Sequence, residues 1–250
     1  MVARRAIFVA PFGELADARR LARLAEAAEG AGWDGFFLWD HLVYVDTREL
    51  ADPWIAMAAI ACSTERVRFG ALVTPTPRRR IAKLARETVT LDRLSGGRLV
   101  LGVGIGGDRH GKFAPFGDPA DPRERARLLD EGLERLVALW GGEFAPPPAQ
   151  EPRIPVWVAA RWPNRRPMRR AARWDGIFPI DLEGPESLAE LAAAMRELRA
   201  GADGAFDIVV TNPAGTDPAP WEQAGATWCL TGFGRDPTEA EVREAIDAGP

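Results

Sequence analysis

Short apolar runs rich in Val, Ile, Phe and Trp alternate along this chain with longer stretches in which apolar residues recur every three to four positions. The short runs at 6–10, 35–39, 67–73, 98–103, 155–159, 176–180, 206–210 and 227–230 predict eight strands. Between them, the stretch 15–31 places Leu21, Leu24, Ala25 and Ala28 on one helical face. The same spacing predicts helices over 54–63, 81–94, 124–139, 165–173, 186–198 and 239–246, with a weaker pattern over 218–224. Strands with helices between them form a parallel sheet covered on both faces, either open and doubly wound or closed. Eight units in 250 residues predict an α/β fold, one (β/α)8 TIM barrel spanning 1–250 as a single domain. The turn Ala10-Pro11-Phe12-Gly13 after the first strand lacks the glycine fingerprint of a dinucleotide-binding sheet.

Two stretches lack periodicity. The segment 104–122 follows the fourth strand, at the barrel end that carries active sites. The Pro-rich segment 141–153 follows a helix and is expected on the opposite face as a stiff connection.

Composition narrows the class of partner. A net charge of −4 and 46% hydrophobic residues describe a globular chain without the basic surface that nucleic acids require. No apolar run reaches the length of a membrane span, and the five apolar residues before Pro11 are too few for a secretory signal. A cytoplasmic protein is expected, with no membrane or nucleic-acid partner. Cys62 and Cys229 are far apart in apolar surroundings, which predicts two buried thiols rather than a disulfide. Only Lys83 and Lys112 are lysines; the rest of the positive charge is arginine.

In a barrel, residues just beyond each strand meet at one mouth. Both histidines, His41 and His110, fall there. A mouth histidine can make a structural hydrogen bond, or exchange a proton near neutral pH. Asp40 before His41, and the only tyrosine, Tyr44, after it, favour the second reading for His41. Gly102-Val103-Gly104-Ile105-Gly106-Gly107 reads equally as a tightly packed strand with a flexible turn and as a close approach to a flat ligand. Arg161, Asn164, Arg165 and Arg166 after the small pair Ala159-Ala160 suit either an anion site or a solvated basic face. Arg78-Arg79-Arg80 is a second such cluster. Phe12, Trp39, Tyr44, Trp54, Phe113, Phe116 and Trp162 supply aromatic lining for a planar ligand. The sequence lacks the His and Cys spacing of a metal site, and no serine sits in a nucleophile elbow.

Taken together, several segments resemble the luciferase-like flavin-dependent monooxygenases and their deazaflavin-dependent relatives. They are GWDGFFLWDHL at 32–42, DPWIAMAAIACSTERVRFGALVTPTPRR at 52–79, LDRLSGGRLVLGVGIGG at 91–107, PVWVAARWPNRRPMRRAARWDGIFPI at 155–180 and AGATWCLTGF at 224–233. The resemblance implies a luciferase-like barrel holding a flavin ring across its mouth. Reduced FMN with oxygen is the implied cofactor chemistry, with hydride transfer by coenzyme F420 as the alternative and a non-catalytic flavin-binding barrel as a third reading. By position, Asp40 and His41 match the pair beside ring and substrate, His41 as proton donor and Asp40 orienting it. Thr74 matches the end of strand three, where a cis peptide lies beneath the ring. Gly102, Val103 and Gly104 match the strand edge beside the ring, and Ala159, Ala160 and Arg161 match the phosphate loop. Phe12 and Trp162 complete the expected cofactor contacts. The implied partners are a small organic substrate, a separate flavin reductase and a second copy in a homodimer.

Overall fold

The computed structural model describes residues 2–44, 49–108 and 111–250. The strands are β1 (Arg4–Val9), β2 (Gly35–Leu38), β3 (Arg68–Ala71), β4 (Thr74–Pro75), β5 (Leu101–Gly104), β6 (Val156–Ala160), β7 (Gly176–Pro179), β8 (Asp207–Pro213) and β9 (Trp228–Gly232). They form one parallel sheet in the order β3-β2-β1-β9-β8-β7-β6-β5-β4. β3 and β4 are two parts of the predicted third strand, divided at Leu72–Val73, whose peptide is cis. The ends of the sheet meet through a parallel bridge between Phe69 and Leu99, with Val100 N–H donating to the Phe69 carbonyl at 2.9 Å. Gly70 permits this closure, since a Cβ there would lie 2.2 Å from the Val100 carbonyl oxygen. The barrel expected from the pattern is therefore formed, with eight strand positions around a nearly closed wall.

The helices are α1 (Ala18–Gly30), α2 (Pro53–Ser63), α3 (Ile81–Leu94), α4 (Pro122–Ala138), α5 (Arg165–Ala171), α6 (Pro185–Leu198), α7 (Ala219–Gln223) and α8 (Glu239–Ala248). Side chains cap several N-termini: Asp17 accepts from Arg19 and Arg20 N–H, and Asp52 accepts from Trp54 and Ile55 N–H. The Asp17 cap explains why α1 starts later than the apolar spacing predicts, after a separate 3-10 turn at Gly13–Leu15. Among the described residues no helix is long and apolar enough to cross a membrane.

Strand alternation sorts the apolar residues into two compartments. Phe8, Phe37, Leu72, Val100, Trp157, Phe178, Trp228 and Leu230 fill the barrel interior. Ile7, Val9, Phe36, Val103, Val158, Ile177 and Cys229 face outward against the helices. One expectation is corrected here: Cys229 is buried, but Cys62 is exposed on α2, because that face of the helix turns away from the sheet.

The α2–β3 corner is tied together by Arg98. Its Nε donates to Ser95 O, its Nη1 to Thr64 Oγ1 and Val67 O, and its Nη2 to Ala61 O and Thr64 O, at 2.7–3.1 Å. All five guanidinium N–H groups are thereby used, four of their five bonds running to backbone carbonyls, which is how this buried charge is tolerated.

Candidate functional site

A cavity of about 1780 Å³ opens at the carboxyl ends of the strands and continues past the β8–β9 rim toward α8. Its inner floor carries Phe8, Leu72, Val73, Phe178 and Ile180, and its rim carries the exposed charged residues Arg161, Arg166, Asp181 and Arg235.

One side of the floor is nearly free of side chains. Gly104 and Ala159 lie on neighbouring strands beside Val73, and all three line the cavity. A Cβ on Gly104 would stand 2.8 Å from Val73 Cγ2 and 3.3 Å from Ala159 Cβ. Gly104 thus lets Val73 and Ala159 close on the β5 backbone, and the three leave a low stretch of wall, the planar slot, facing the cavity. The residues present fit a planar cofactor.

His41 forms another part of the wall, within an aromatic cluster. Its ring centroid lies 5.0 Å from Tyr44, 5.7 Å from Phe12 and 5.8 Å from Trp39. Lys112 Nζ approaches His41 Nδ1 at 3.2 Å and lies 4.6 Å from the centre of the Tyr44 ring. Burial, reinforced by the Lys112 ammonium and the Arg78 guanidinium, pushes the His41 pKa down to about 3. The expectation of a histidine exchanging protons near neutral pH is thus corrected: His41 is neutral there.

Asp40 does not orient His41. Its buried carboxylate accepts from Arg78 Nη2 at 2.6 Å, Arg79 Nη2 at 2.9 Å and Trp54 Nε1 at 3.3 Å. The Arg78-Arg79-Arg80 run is therefore divided: Arg78 and Arg79 turn inward to Asp40, and Arg80 is exposed.

Of the remaining expected contacts, Gly104, Ala159, Ala160 and Arg161 line the cavity with Asp40 and His41. Phe12, Thr74, Gly102, Val103 and Trp162 do not. Phe12 is fully buried behind Trp39, His41 and Tyr44, and supports that wall from outside the cavity. Val103 points outward to the helices by strand parity, while Gly102 lies a layer deeper, where a Cβ would meet the Ala71 carbonyl at 2.4 Å. Thr74 is fully buried and its Oγ1 has no partner among the described residues. Trp162 lines a separate cavity of about 380 Å³ with Asp181 and Leu182. Arg161 pairs with Asp181 across the rim, so its charge is already engaged. His110 lies outside the described residues. Lys112 had no place in the sequence reading, although one lysine beside a glycine-rich segment, in a chain with two, was a signal.

A parallel barrel with a cavity and a histidine at the carboxyl ends of its strands has the architecture of an α/β-barrel enzyme. The chain belongs to the luciferase-like monooxygenase family, whose profile matches residues 6–247, and is an oxidoreductase of that class. An uncharacterised Mycobacterium tuberculosis protein is 29% identical over 251 residues, covering 85% of this chain and 86% of that protein. Two solved structures share the fold. An F420-dependent secondary alcohol dehydrogenase in complex with an F420-acetone adduct has a TM-score of 0.81 and 16% identity, with 99% of this chain and 97% of that one covered. The monooxygenase RslO1 from Streptomyces bottropensis has a TM-score of 0.80 and 18% identity, with 97% and 96% covered.

Proposed function

We propose that this protein is a coenzyme F420-type, deazaflavin-dependent oxidoreductase that interconverts a carbonyl compound and its alcohol. The observation that carries the reading is the slot at Val73, Gly104 and Ala159, which suits a flat ring. A deazaflavin supplies hydride chemistry when bound. Val73, Gly104 and Ala159 would take its ring, and Asn164 and Arg166 at the rim would take its phosphate. His41 stands in the same cavity as a group able to hydrogen-bond a substrate oxygen. Hydride transfer also agrees with the rim, because oxygen activation needs a site closed against water and this one is ringed by exposed charged side chains. The F420-dependent alcohol dehydrogenase, seen in complex with an F420-acetone adduct, supports the reading through its shared fold.

The apolar inner floor of Phe8, Leu72, Phe178 and Ile180 favours a second reading, an FMN monooxygenase supplied by a separate reductase. Anaerobic titration with reduced F420 and with reduced FMN separates the two. The first reading expects tight F420 binding and recovery of deazaflavin absorbance when a ketone is added. Binding of FMN alone, with substrate-dependent oxygen uptake, replaces it by the second; binding of neither overturns both.

A further inference from the structure

We propose that Lys112 is a positioning residue that holds His41 as a neutral imidazole with its proton on Nε2, making this wall a receptor for an acceptor oxygen of the substrate. The inference deepens the proposed function and rests on it only in taking that oxygen to be a carbonyl.

The geometry begins with the contact between Lys112 Nζ and His41 Nδ1 at 3.2 Å. An ammonium has three N–H donors and no lone pair, so Nδ1 must be the acceptor and the ring proton must sit on Nε2. Neither partner is free to drift. Lys112 is 7% exposed, and its own N–H and that of Phe113 donate to Asp108 Oδ1 at 2.8 and 3.0 Å. His41 is boxed by Phe12, Trp39 and Tyr44.

The surrounding charges reinforce the arrangement. Arg78 is a like charge near both groups. Asp40 is committed to Arg78, Arg79 and Trp54, and Asp108 Oδ1 accepts from the backbone N–H groups of Lys112 and Phe113. Among the described residues, no carboxylate hydrogen-bonds to His41 or to Lys112 Nζ. Protonating His41 would set a second cation against the ammonium, so the ring stays neutral.

Both groups line the cavity. A substrate meeting them finds N–H donors and no acceptor, which selects a carbonyl oxygen and disfavours an amine. His41 Nε2–H would hydrogen-bond that oxygen and keep its own proton, with Nδ1 still accepting from Lys112. The deazaflavin would supply the hydride chemistry when bound, and the wall's part is to bind and orient the carbonyl.

The test uses ¹⁵N-histidine-labelled, coenzyme-free protein. Two histidines give two imidazole spin systems, which His110→Gln assigns. The expected wild-type pattern is a bare Nδ1 and a protonated Nε2 on His41, unchanged from pH 7 to pH 5. Lys112→Met should release Nδ1, so that a share of His41 carries its proton there, and Lys112→Arg should preserve the wild-type pattern. A protonated Nδ1 in the wild type, or a Lys112→Met spectrum identical to the wild type across that range, overturns the inference. If Lys112→Met fails to fold, the wild-type tautomer still decides. Because no coenzyme is present, a failed hydride-transfer reading leaves this spectrum as it is, and a wrong tautomer leaves the coenzyme titration as it is.

Discussion

Asp40 and Arg78 form a 2.6 Å ion pair at the end of β2, with side chains 1% and 5% exposed. Arg79 closes on the other carboxylate oxygen at 2.9 Å. The pair joins the β2 rim to the segment after β4, and so sets the wall on which His41 stands. Removing the carboxylate would leave a buried guanidinium without its counter-charge. Asp40→Ala should cost about 3–5 kcal/mol and lower the melting temperature by roughly 10 °C. Thermal unfolding followed by circular dichroism checks this; an unchanged midpoint would show that the pair does not hold the rim.

Arg98 makes a parallel prediction far from the cavity. Arg98→Met strands carbonyls of Ala61, Thr64, Val67 and Ser95 in a buried corner. A loss of about 3 kcal/mol or more is expected in urea unfolding. Arg98→Lys should recover only part of it, since an ammonium offers three donors where five are used.

Gly104→Ala tests the planar slot. The new Cβ would press on Val73, whose β-branched side chain has little freedom to yield. Coenzyme binding should weaken about tenfold or more, equivalent to about 1.4 kcal/mol of overpacking. Fluorescence titration reads the affinity. Unchanged affinity would place the ring elsewhere.

Stability should depend on pH through His41. The native imidazole takes its proton only near pH 3, whereas the unfolded one does so near 6.5. Between these values the unfolded chain binds the extra proton, so stability falls as pH drops below 6.5, by about 1.4 kcal/mol per pH unit at most. Comparing wild type with His41→Gln cancels the other titrating groups. At pH 5 the wild type should have lost roughly 2 kcal/mol more than the variant, relative to pH 7. Parallel curves would contradict a neutral, buried His41.

The barrel was legible because period-2 and period-3.6 patterns are local properties of a chain that buries strands on both faces. The burial of Leu21, Leu24, Ala25 and Ala28 follows directly from their spacing. The break within the third strand was not legible from apolarity alone, since 67–73 is a continuous run and the division falls at Leu72–Val73. The resemblance located Asp40, His41, Gly104, Ala159, Ala160 and Arg161, which do meet in one cavity. It could not separate them from Phe12, Val103 and Trp162, because strand parity and packing order decide which neighbours of a site residue reach the opening.

From the sequence alone followed the α/β barrel, the end that carries the site, and the residue types available there. Each depends on short-range spacing and on the rule that strand ends converge. The partners of those residues were settled in space. Asp40 is adjacent to His41 in sequence yet bonds to Arg78 and Arg79, while Lys112, 71 positions away, reaches the imidazole. Adjacent side chains at a strand end point in different directions, and a loop returning over the mouth brings a distant charge within hydrogen-bond reach. Burial, together with that placement, keeps His41 neutral.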